Sequence, residues 1–386
     1  MGDNRFGALH IGKTKLILGV LVMTRTTQKQ AHRLIGIITV MLVLLGTNTF
    51  AFQGGISPLS DYMYKKDYEK YEGIRKETDV QKKADSLVAF LKERPISRVL
   101  LYVATDYIAC INKLAGNDVA KKISMQKALL DLVPTDQKIK AEEIPVGVEE
   151  FRKTHLIPTR KLILTSMAAG YYQLKNFSEA AKLAEQAYAI SPDKTLVQTL
   201  YDIYNNMGNE EKIIAYGTKM LDAFPINQPQ GYTTALQLAQ IYLQDGPRQN
   251  IPEATRLFSK LMTVYGDNVP SNFKEADWDR TRSLAYTLMA QDAYAKKDYA
   301  KAEQMYQKVL TFDSRRGDAY YFLGMCRWKS KDQAGAIVYF ARCTVLNKER
   351  APEARKYLEE LYKAQYPNKP EGLPDVLNQA RADLGL

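Results

Sequence analysis

Cysteine and histidine are scarce in this chain of 386 residues, which contains three of each. Three scattered cysteines are too few for a disulfide framework or for a zinc site built from CxxC pairs. Only one histidine, His155, lies beyond residue 32, so most hydrolase mechanisms would lack their usual base. We therefore predict no metal site and no histidine-based catalysis.

The motifs that carry phosphate or hydrolase chemistry are also missing from the sequence. It contains no Gly-rich phosphate loop, no GxSxG turn and no HExxH helix. Pairs of acids occur, such as Glu142-Glu143 and Glu359-Glu360, but adjacent side chains on a helix point apart. Such pairs are typical of solvated faces, so we predict no catalytic residue and no cofactor.

One long apolar run lies near the N-terminus. Residues 34–45 carry no charge, three bases precede them, and Thr49-Phe50-Ala51 follows. The run is shorter than the roughly 20 residues of a permanent transmembrane helix, and the small residues resemble a signal-peptidase site. The layout predicts an N-terminal leader, residues 1–51, that is cleaved after Ala51. An uncleaved anchor or a buried helix is the alternative.

The leader has an unusual length, because 22 residues precede Met23, and we expect Met23 to be the true start. Residues 1–51 hold six bases and one acid, so they carry much of the net charge of +11. The other bases are mixed with acids and form no block that would follow a phosphate backbone. The sequence predicts an exported protein of the periplasm or cell envelope, with no nucleic-acid partner and no membrane span after cleavage.

A repeated pattern of apolar and small residues organises the chain after residue 159. Residues at offsets of 0, 4 and 7 fall on one face of a helix. A further position lies twelve residues before this frame, or fifteen where a polar turn is inserted, and it is small in four of five cases. Small residues let two helix backbones approach closely, so the pattern predicts paired helices. The frames begin at Ala180, Ile213, Ala254, Ala302 and Ala336, and the preceding positions are Ala168, Tyr201, Ala239, Ala290 and Gly324.

This pattern resembles the tetratricopeptide repeat, a helix–turn–helix unit of about 34 residues with small residues where its helices touch. The resemblance implies an all-α fold, an α-solenoid whose stacked repeats form a right-handed superhelix. It also implies an inner groove lined mostly by the first helix of each unit. The five units fill residues 159–350, at about 161–194, 194–227, 231–267, 283–316 and 317–350.

The flanking segments complete the predicted domain organisation. Residues 60–134 are expected to form two degenerate helical hairpins, followed by an irregular, proline-bearing connection over 135–158. Residues 351–366 have an apolar face and are expected to form a helix that caps the last repeat. Residues 367–386 are predicted to be a mobile tail with one short helical candidate.

Amides dominate the positions that the resemblance places in the groove, one residue beyond the small position and three to four residues to either side. An amide both donates and accepts, so a row of them can pair with the backbone of an extended peptide. The alternative is that they are solvated positions of amphipathic helices. The predicted groove residues of the second to fourth units are Gln198, Asp202, Asn205, Asn206, Gln237, Gln240, Gln244, Thr287, Gln291 and Tyr294.

The fifth unit instead presents Tyr321, Met325 and Trp328 to the groove. Tryptophan and tyrosine are frequent binding hot spots, so these side chains predict an apolar anchor for a partner. The alternative is that Trp328 packs under the capping helix. Cys326 and Cys343 of this unit lie at different heights on paired helices, so we expect no disulfide between them.

Together these observations predict a non-catalytic protein–protein interaction adaptor of the bacterial cell envelope, which binds a protein or peptide partner in its concave groove. One alternative is a structural or assembly component of an outer-membrane or secretion complex, in peripheral association with the envelope. A carboxylate-dependent hydrolase on an α-solenoid is a third hypothesis, because acids are abundant.

Overall fold

The computed structural model describes residues 61–141 and 147–386, and every regular element within them is helical. The predicted leader, residues 1–51, and the proposed start at Met23 lie outside the described residues. The first six helices are α1 (Asp61–Arg75), α2 (Val80–Glu93), α3 (Leu100–Ala115), α4 (Val119–Leu132), α5 (Asp136–Ala141) and α6 (Val148–Phe151).

Five helical hairpins follow, and we number them repeats 1–5. Each helix packs against the helices that precede and follow it in the sequence, as in a solenoid. The predicted all-α solenoid is therefore confirmed for the described residues. The hairpins are α7 (Ile157–Gln173) with α8 (Phe177–Ile190), α9 (Lys194–Met207) with α10 (Glu210–Ala223), α11 (Pro229–Leu243) with α12 (Ile251–Tyr265), α13 (Glu275–Ala295) with α14 (Tyr299–Phe312), and α15 (Gly317–Lys329) with α16 (Gln333–Leu346).

Four of the five hairpins share one turn. A residue with positive φ ends the first helix, and the Asn or Asp after it caps the second helix by accepting from the backbone N–H three residues on. The N–H of each capping residue donates to the carbonyl five residues back, which closes the first helix. The same bonds thus fix each reversal. The four turns are Lys175-Asn176, Gly208-Asn209, Lys297-Asp298 and Lys331-Asp332.

In two of the hairpins, a glycine on one helix faces a large ring on the other. A Cβ added to Gly324 of α15 would lie 2.7 Å from the Phe340 ring of α16. In repeat 2 the order is reversed, because a Cβ on Gly217 of α10 would lie 3.1 Å from the Tyr201 ring of α9. Tyr201, the exception in the sequence pattern, is therefore accommodated by a glycine on its partner helix.

The described residues of the connection predicted to be irregular, 135–141 and 147–158, are largely helical, which corrects that expectation. α6 runs through a π-helical turn, Arg152–Leu156, directly into α7. The N–H of Ile157 donates to the Arg152 carbonyl five residues back. Pro158 has no N–H to donate and normally interrupts a helix, and the wider turn beside it lets the helix continue. The proline is thus a helix irregularity and not a boundary.

Repeat 4 also begins earlier than expected, since α13 starts at Glu275 and not near residue 283. The added turns carry Trp278, which is fully buried. Its ring lies 5.8 Å from Tyr265 of α12 and 5.5 Å from Phe273 in the preceding loop. This aromatic cluster joins repeats 3 and 4.

The end of the chain is helical and packed, which corrects the expectation of a mobile tail. α17 (Ala351–Gln365) packs on α16 where the capping helix is predicted, and a 3₁₀ turn leads to α18 (Leu373–Asp383). α18 also packs on α16, burying Leu377 and Ala380, and Arg342 of α16 pairs with Asp383 at 2.7 Å. Pro370 and Pro374 stand at the starts of the 3₁₀ turn and of α18, where a missing N–H costs nothing.

Candidate functional site

The first helices of repeats 1–3 are joined by hydrogen bonds between their side chains. The Asn206 amide of α9 donates to the Tyr172 hydroxyl of α7 over 3.0 Å. On α11, Gln237 accepts from the Tyr201 hydroxyl at 2.6 Å and donates to the Asn205 oxygen at 2.5 Å. Side chains of α7, α9 and α11 therefore meet on one surface, which we call the first-helix face.

These bonds occupy three of the predicted groove amides, Asn205, Asn206 and Gln237. Asn206 is further held by the carbonyl of Asp202, at 2.7 Å. A partner could bind these amides only in exchange for bonds that already exist, so their main effect is to hold neighbouring helices in register. These three amides therefore fit the predicted role of binding a partner directly less well than a role in hydrogen bonding neighbouring helices to each other.

Four other predicted glutamines are available. They make no side-chain hydrogen bond to another described residue, and two of them are exposed while two are half-buried. An unbonded amide can give both its donor and its acceptor to a partner without losing an internal bond. The exposed pair is Gln240 and Gln244, and the half-buried pair is Gln198 and Gln291.

Asp202 is the only carboxylate among the predicted groove residues. It is half-buried, and no basic side chain of the described residues pairs with it. Burial raises the pKa of Asp202 to about 7. The titratable groups that it influences are the Tyr172 and Tyr201 phenols, whose pKa values are raised by burial and further by Asp202. Both phenols are neutral near pH 7, so they do not balance its charge.

Two of the predicted groove residues of repeat 4 are packed against other parts of the protein and are less open to a partner than predicted. Thr287 is buried, and its hydroxyl donates to the Ser283 carbonyl one turn back, which corrects its placement on the groove. Tyr294 is half-buried between the rings of Tyr299 and Phe322, at 5.4 and 5.7 Å, and burial raises its pKa to about 12. Tyr294 therefore packs in the contact between repeats 4 and 5.

The predicted aromatic anchor of repeat 5 lies under the capping helix. Tyr357 of α17 places its ring 5.2 Å from Trp328 and 6.3 Å from Tyr321. Met325 is half-buried against the core, and the Lys329 ammonium lies 4.8 Å from the Trp328 ring centroid. The structure therefore shows the packing arrangement that the sequence left as the alternative for Trp328.

Tyr172 and Tyr201 are the residues of this face that sequence reasoning missed. Tyr201 drew notice only as a large residue at a small position. Tyr172 lies four residues beyond Ala168, a spacing that identifies groove positions in the later repeats. Applying the same spacing to repeat 1 would have found it, whereas its bond to Asn206 requires the structure.

A second polar cluster lies between α8, α9 and α10, beside an open cavity of about 590 Å³. Glu185 of α8 accepts from the Tyr204 hydroxyl at 2.7 Å and from the Lys212 ammonium at 2.8 Å. Burial raises the pKa of Glu185, but these hydrogen bonds outweigh it and hold the pKa below its usual value. The carboxylate is already neutralised, so this cavity offers no free charge to a ligand.

The cysteine thiols, which could in principle react, lie in the core. Burial raises the pKa of the Cys326 and Cys343 thiols to about 12, so both stay protonated and act as small packing residues. No three side chains of metal-ligating type gather among the described residues. No helix in the described part of the chain has the length and apolarity needed to cross a membrane.

No family model matches the sequence, and no curated protein matches it. Solved structures with a similar fold include a tetratricopeptide repeat protein from Parabacteroides merdae, with 14% identity, a TM-score of 0.30, and coverage of 78% of this chain and 99% of that chain. The TPR2AB domain of yeast Sti1, solved as a complex with pHSP90, has 10% identity, a TM-score of 0.31, and coverage of 78% and 99%. The C-terminal part of a TPR repeat-containing protein from Cytophaga hutchinsonii has 16% identity, a TM-score of 0.30, and coverage of 70% and 93%.

Superpositions with TM-scores near 0.3 do not fix the fold of the whole chain, so the assignment rests on the repeats themselves. The capped turns recur after 33 residues between Asn176 and Asn209 and after 34 between Asp298 and Asp332. Each hairpin with a glycine at its contact sets that glycine against a large ring, and successive hairpins stack in order. These features identify the described residues as an α-solenoid of stacked helical hairpins, similar in repeat length and turn to the tetratricopeptide repeat.

Proposed function

We propose that this protein is a non-catalytic adaptor that binds a partner protein through its first-helix face. The observation that carries the proposal is a set of unbonded glutamines on or beside three successive first helices, Gln198 on α9, Gln240 and Gln244 on and after α11, and Gln291 on α13. Gln240 and Gln291 occupy the same place in their repeats, one residue after the small position. An extended peptide offers backbone donors and acceptors that such amides can satisfy irrespective of its sequence.

The crosslinks beneath these glutamines support the same role. Gln237, Asn205 and Tyr201 tie α11 to α9, and Asn206 ties α9 to α7. A surface that is already rigid loses little conformational entropy when a partner docks on it. The bonded amides therefore hold the helices of the face in place, and the unbonded amides are free to bind a ligand.

The proposed site of action is the cell envelope, reached by export. The support comes from the sequence of the leader, in which three bases precede the uncharged run 34–45 and small residues follow at 49 and 51. Mass spectrometry of the protein purified from its native source should find a mature N-terminus at Phe52 or within a few residues of it. A chain that begins at Met1 or Met23 would contradict cleavage.

Partner capture from an envelope extract tests the binding role. We expect Gln240→Ala/Gln291→Ala to recover less of the partner that the wild-type protein captures. The matched control is Gln186→Ala/Gln304→Ala, which removes two exposed glutamines from the second helices α8 and α14. Equal recovery by all three proteins would remove the first-helix face as the binding surface, and equal circular dichroism spectra would exclude misfolding as the cause of a loss.

A further inference from the structure

Asp202 differs from the other acids that flank it in the repeats. Asp193, at the start of the same helix, caps α9 through the Leu196 N–H at 2.8 Å and pairs with Lys161 at 2.5 Å. Glu185 is neutralised by Lys212. Asp202 has neither a capping role nor a cation within the described residues, although it is half-buried.

An uncompensated, half-buried carboxylate opposes folding, since desolvation disfavours its charged form. Its surroundings do not relieve this. Tyr172 faces it from α7 and Tyr201 stands beside it on α9, and both hydroxyls already bond to amides, Asn206 and Gln237. Perturbed groups of this kind concentrate at functional sites, where a ligand supplies what the fold lacks.

We propose that Asp202 binds the basic side chain, lysine or arginine, of an extended peptide segment lying on the first-helix face. The inference rests on the proposed function and adds to it a specificity that the glutamines cannot give. Amides accept any backbone, whereas a single half-buried carboxylate selects one cationic side chain and sets the register of the peptide. A peptide with an acid at this place would meet an unfavourable like charge.

The proposal has a definite pH dependence. A bound cation favours the charged carboxylate, so binding lowers the pKa of Asp202 from its value of about 7 in the free protein. The affinity should therefore be full above pH 7 and should fall as the pH drops below 7 and Asp202 takes up a proton. The other titratable groups that face it, Tyr172 and Tyr201, stay neutral across this range.

A random ten-residue peptide library displayed on phage tests the proposal with the full chain as bait. Selection at pH 8 on the wild-type protein should enrich lysine or arginine at one position. Selection on Asp202→Asn should still yield binders but without that enrichment. Asp222→Asn, which changes an exposed acid of the second helix α10, should give the wild-type result.

The selected peptide then provides a quantitative test by calorimetry. At pH 8, Asp202→Asn should weaken binding about tenfold or more, as should replacing the basic residue of the peptide by norleucine, and the two changes together should cost little beyond either alone. Binding by the wild-type protein should weaken between pH 8 and pH 6, and binding by Asp202→Asn should not.

Each remaining outcome overturns a defined claim. Peptides selected without a basic preference, or an unchanged affinity for Asp202→Asn, would refute the role of Asp202 while leaving the peptide-binding face intact. No peptide selected above the level of a bait-free control would contradict the proposed function itself, and the Asp202 inference would fall with it.

Discussion

The first helices of repeats 1–3 and those of repeats 4–5 follow the same frame but present different surfaces. In repeats 1–3 this surface carries amides, the phenol hydroxyls that bond to them, and one half-buried, unpaired acid, Asp202. In repeats 4–5 Gln291 is still unbonded, but the aromatic side chains at the corresponding places, such as Tyr294 and Trp328, are packed between repeats or under the Tyr357 ring. The frame of small and large residues fixes how the helices pair, and the side chains beside it decide whether a surface is open or closed.

The largest expected effect comes from opening the closed surface. Tyr357→Ala removes the ring that contacts Trp328, Tyr321 and Phe340 at 5.2 to 6.3 Å, and should lower the free energy of unfolding by about 3 kcal/mol. Urea denaturation measures the loss. In a Trp278→Phe background the fluorescence of Trp328 should shift to the red as water reaches it.

The exposed ring of Tyr62 provides the control for this prediction, since Tyr62→Ala removes as many atoms outside the core. A Tyr357→Ala variant with wild-type stability and an unchanged Trp328 spectrum would show that the capping helix does not close repeat 5. The two surfaces would then differ less than the contacts indicate.

The next effect concerns the open surface and is a gain in stability. Folding raises the pKa of Asp202 from 3.8 to about 7, so the carboxylate is tolerated when protonated. Its destabilising effect builds up as the pH rises from about 4 and is complete above about 7. Asp202→Asn should therefore raise the free energy of unfolding by about 2 kcal/mol at pH 8, and the gain should shrink toward pH 4. Urea denaturation at the two pH values, with Asp222→Asn as the reference, checks both the direction of the stability change and the pH range over which it occurs.

Two glutamines of α11, one hydrogen-bonded and one not, allow the two kinds of amide to be compared. Gln237→Ala removes the partners of Tyr201 and Asn205 and should cost about 1–2 kcal/mol of stability, whereas Gln240→Ala should cost close to none. A double-mutant cycle of Gln237→Ala with Tyr201→Phe should return a coupling of about 1 kcal/mol. Equal losses of stability for the two variants would contradict the claim that Gln237 stabilises the face and Gln240 does not.

The smallest effect tests the turns that both regions share. Repeat 2 uses Gly208 at the positive-φ position, while repeat 5 uses Lys331 with φ of 66°. A residue with a Cβ is strained there, so Lys331→Gly should stabilise the protein and Gly208→Lys should destabilise it, each by about 0.5 kcal/mol. Thermal denaturation of the two variants should move in opposite directions, and a shift in the same direction would contradict a common turn geometry.

The sequence predicts the paired helices well because their contacts are local and periodic. Gly324 opposite Phe340 lies within the frame, and even the exception, Tyr201, follows the same rule once Gly217 is taken into account. The path through Pro158 and the packing of α18 depend on a π-helical turn and on a distant pair, Arg342 with Asp383, and neither has a periodic signal. Such features require the structure.

The candidate site is less predictable for a related reason. Spacing places Gln237 and Gln240 on the same helix, but it cannot tell which amide finds a partner on the neighbouring repeat. It also cannot show that Asp202 lacks a cation, because the fold decides which acid each base pairs with, as when Lys161 pairs with Asp193. The sequence shows where a side chain lies along the groove, but it does not show whether that side chain is free to bind a partner.

Site-specific photo-crosslinking in the native cells tests most directly whether partners dock on the first helices. A photoreactive phenylalanine analogue would replace Gln240 on α11 or, in the matched variant, Gln304 on the second helix α14, both of which are exposed. Irradiation should yield a discrete covalent adduct with a partner protein from position 240 and none from position 304. Adducts of equal yield from the two positions, or an adduct from position 304 alone, would contradict the account.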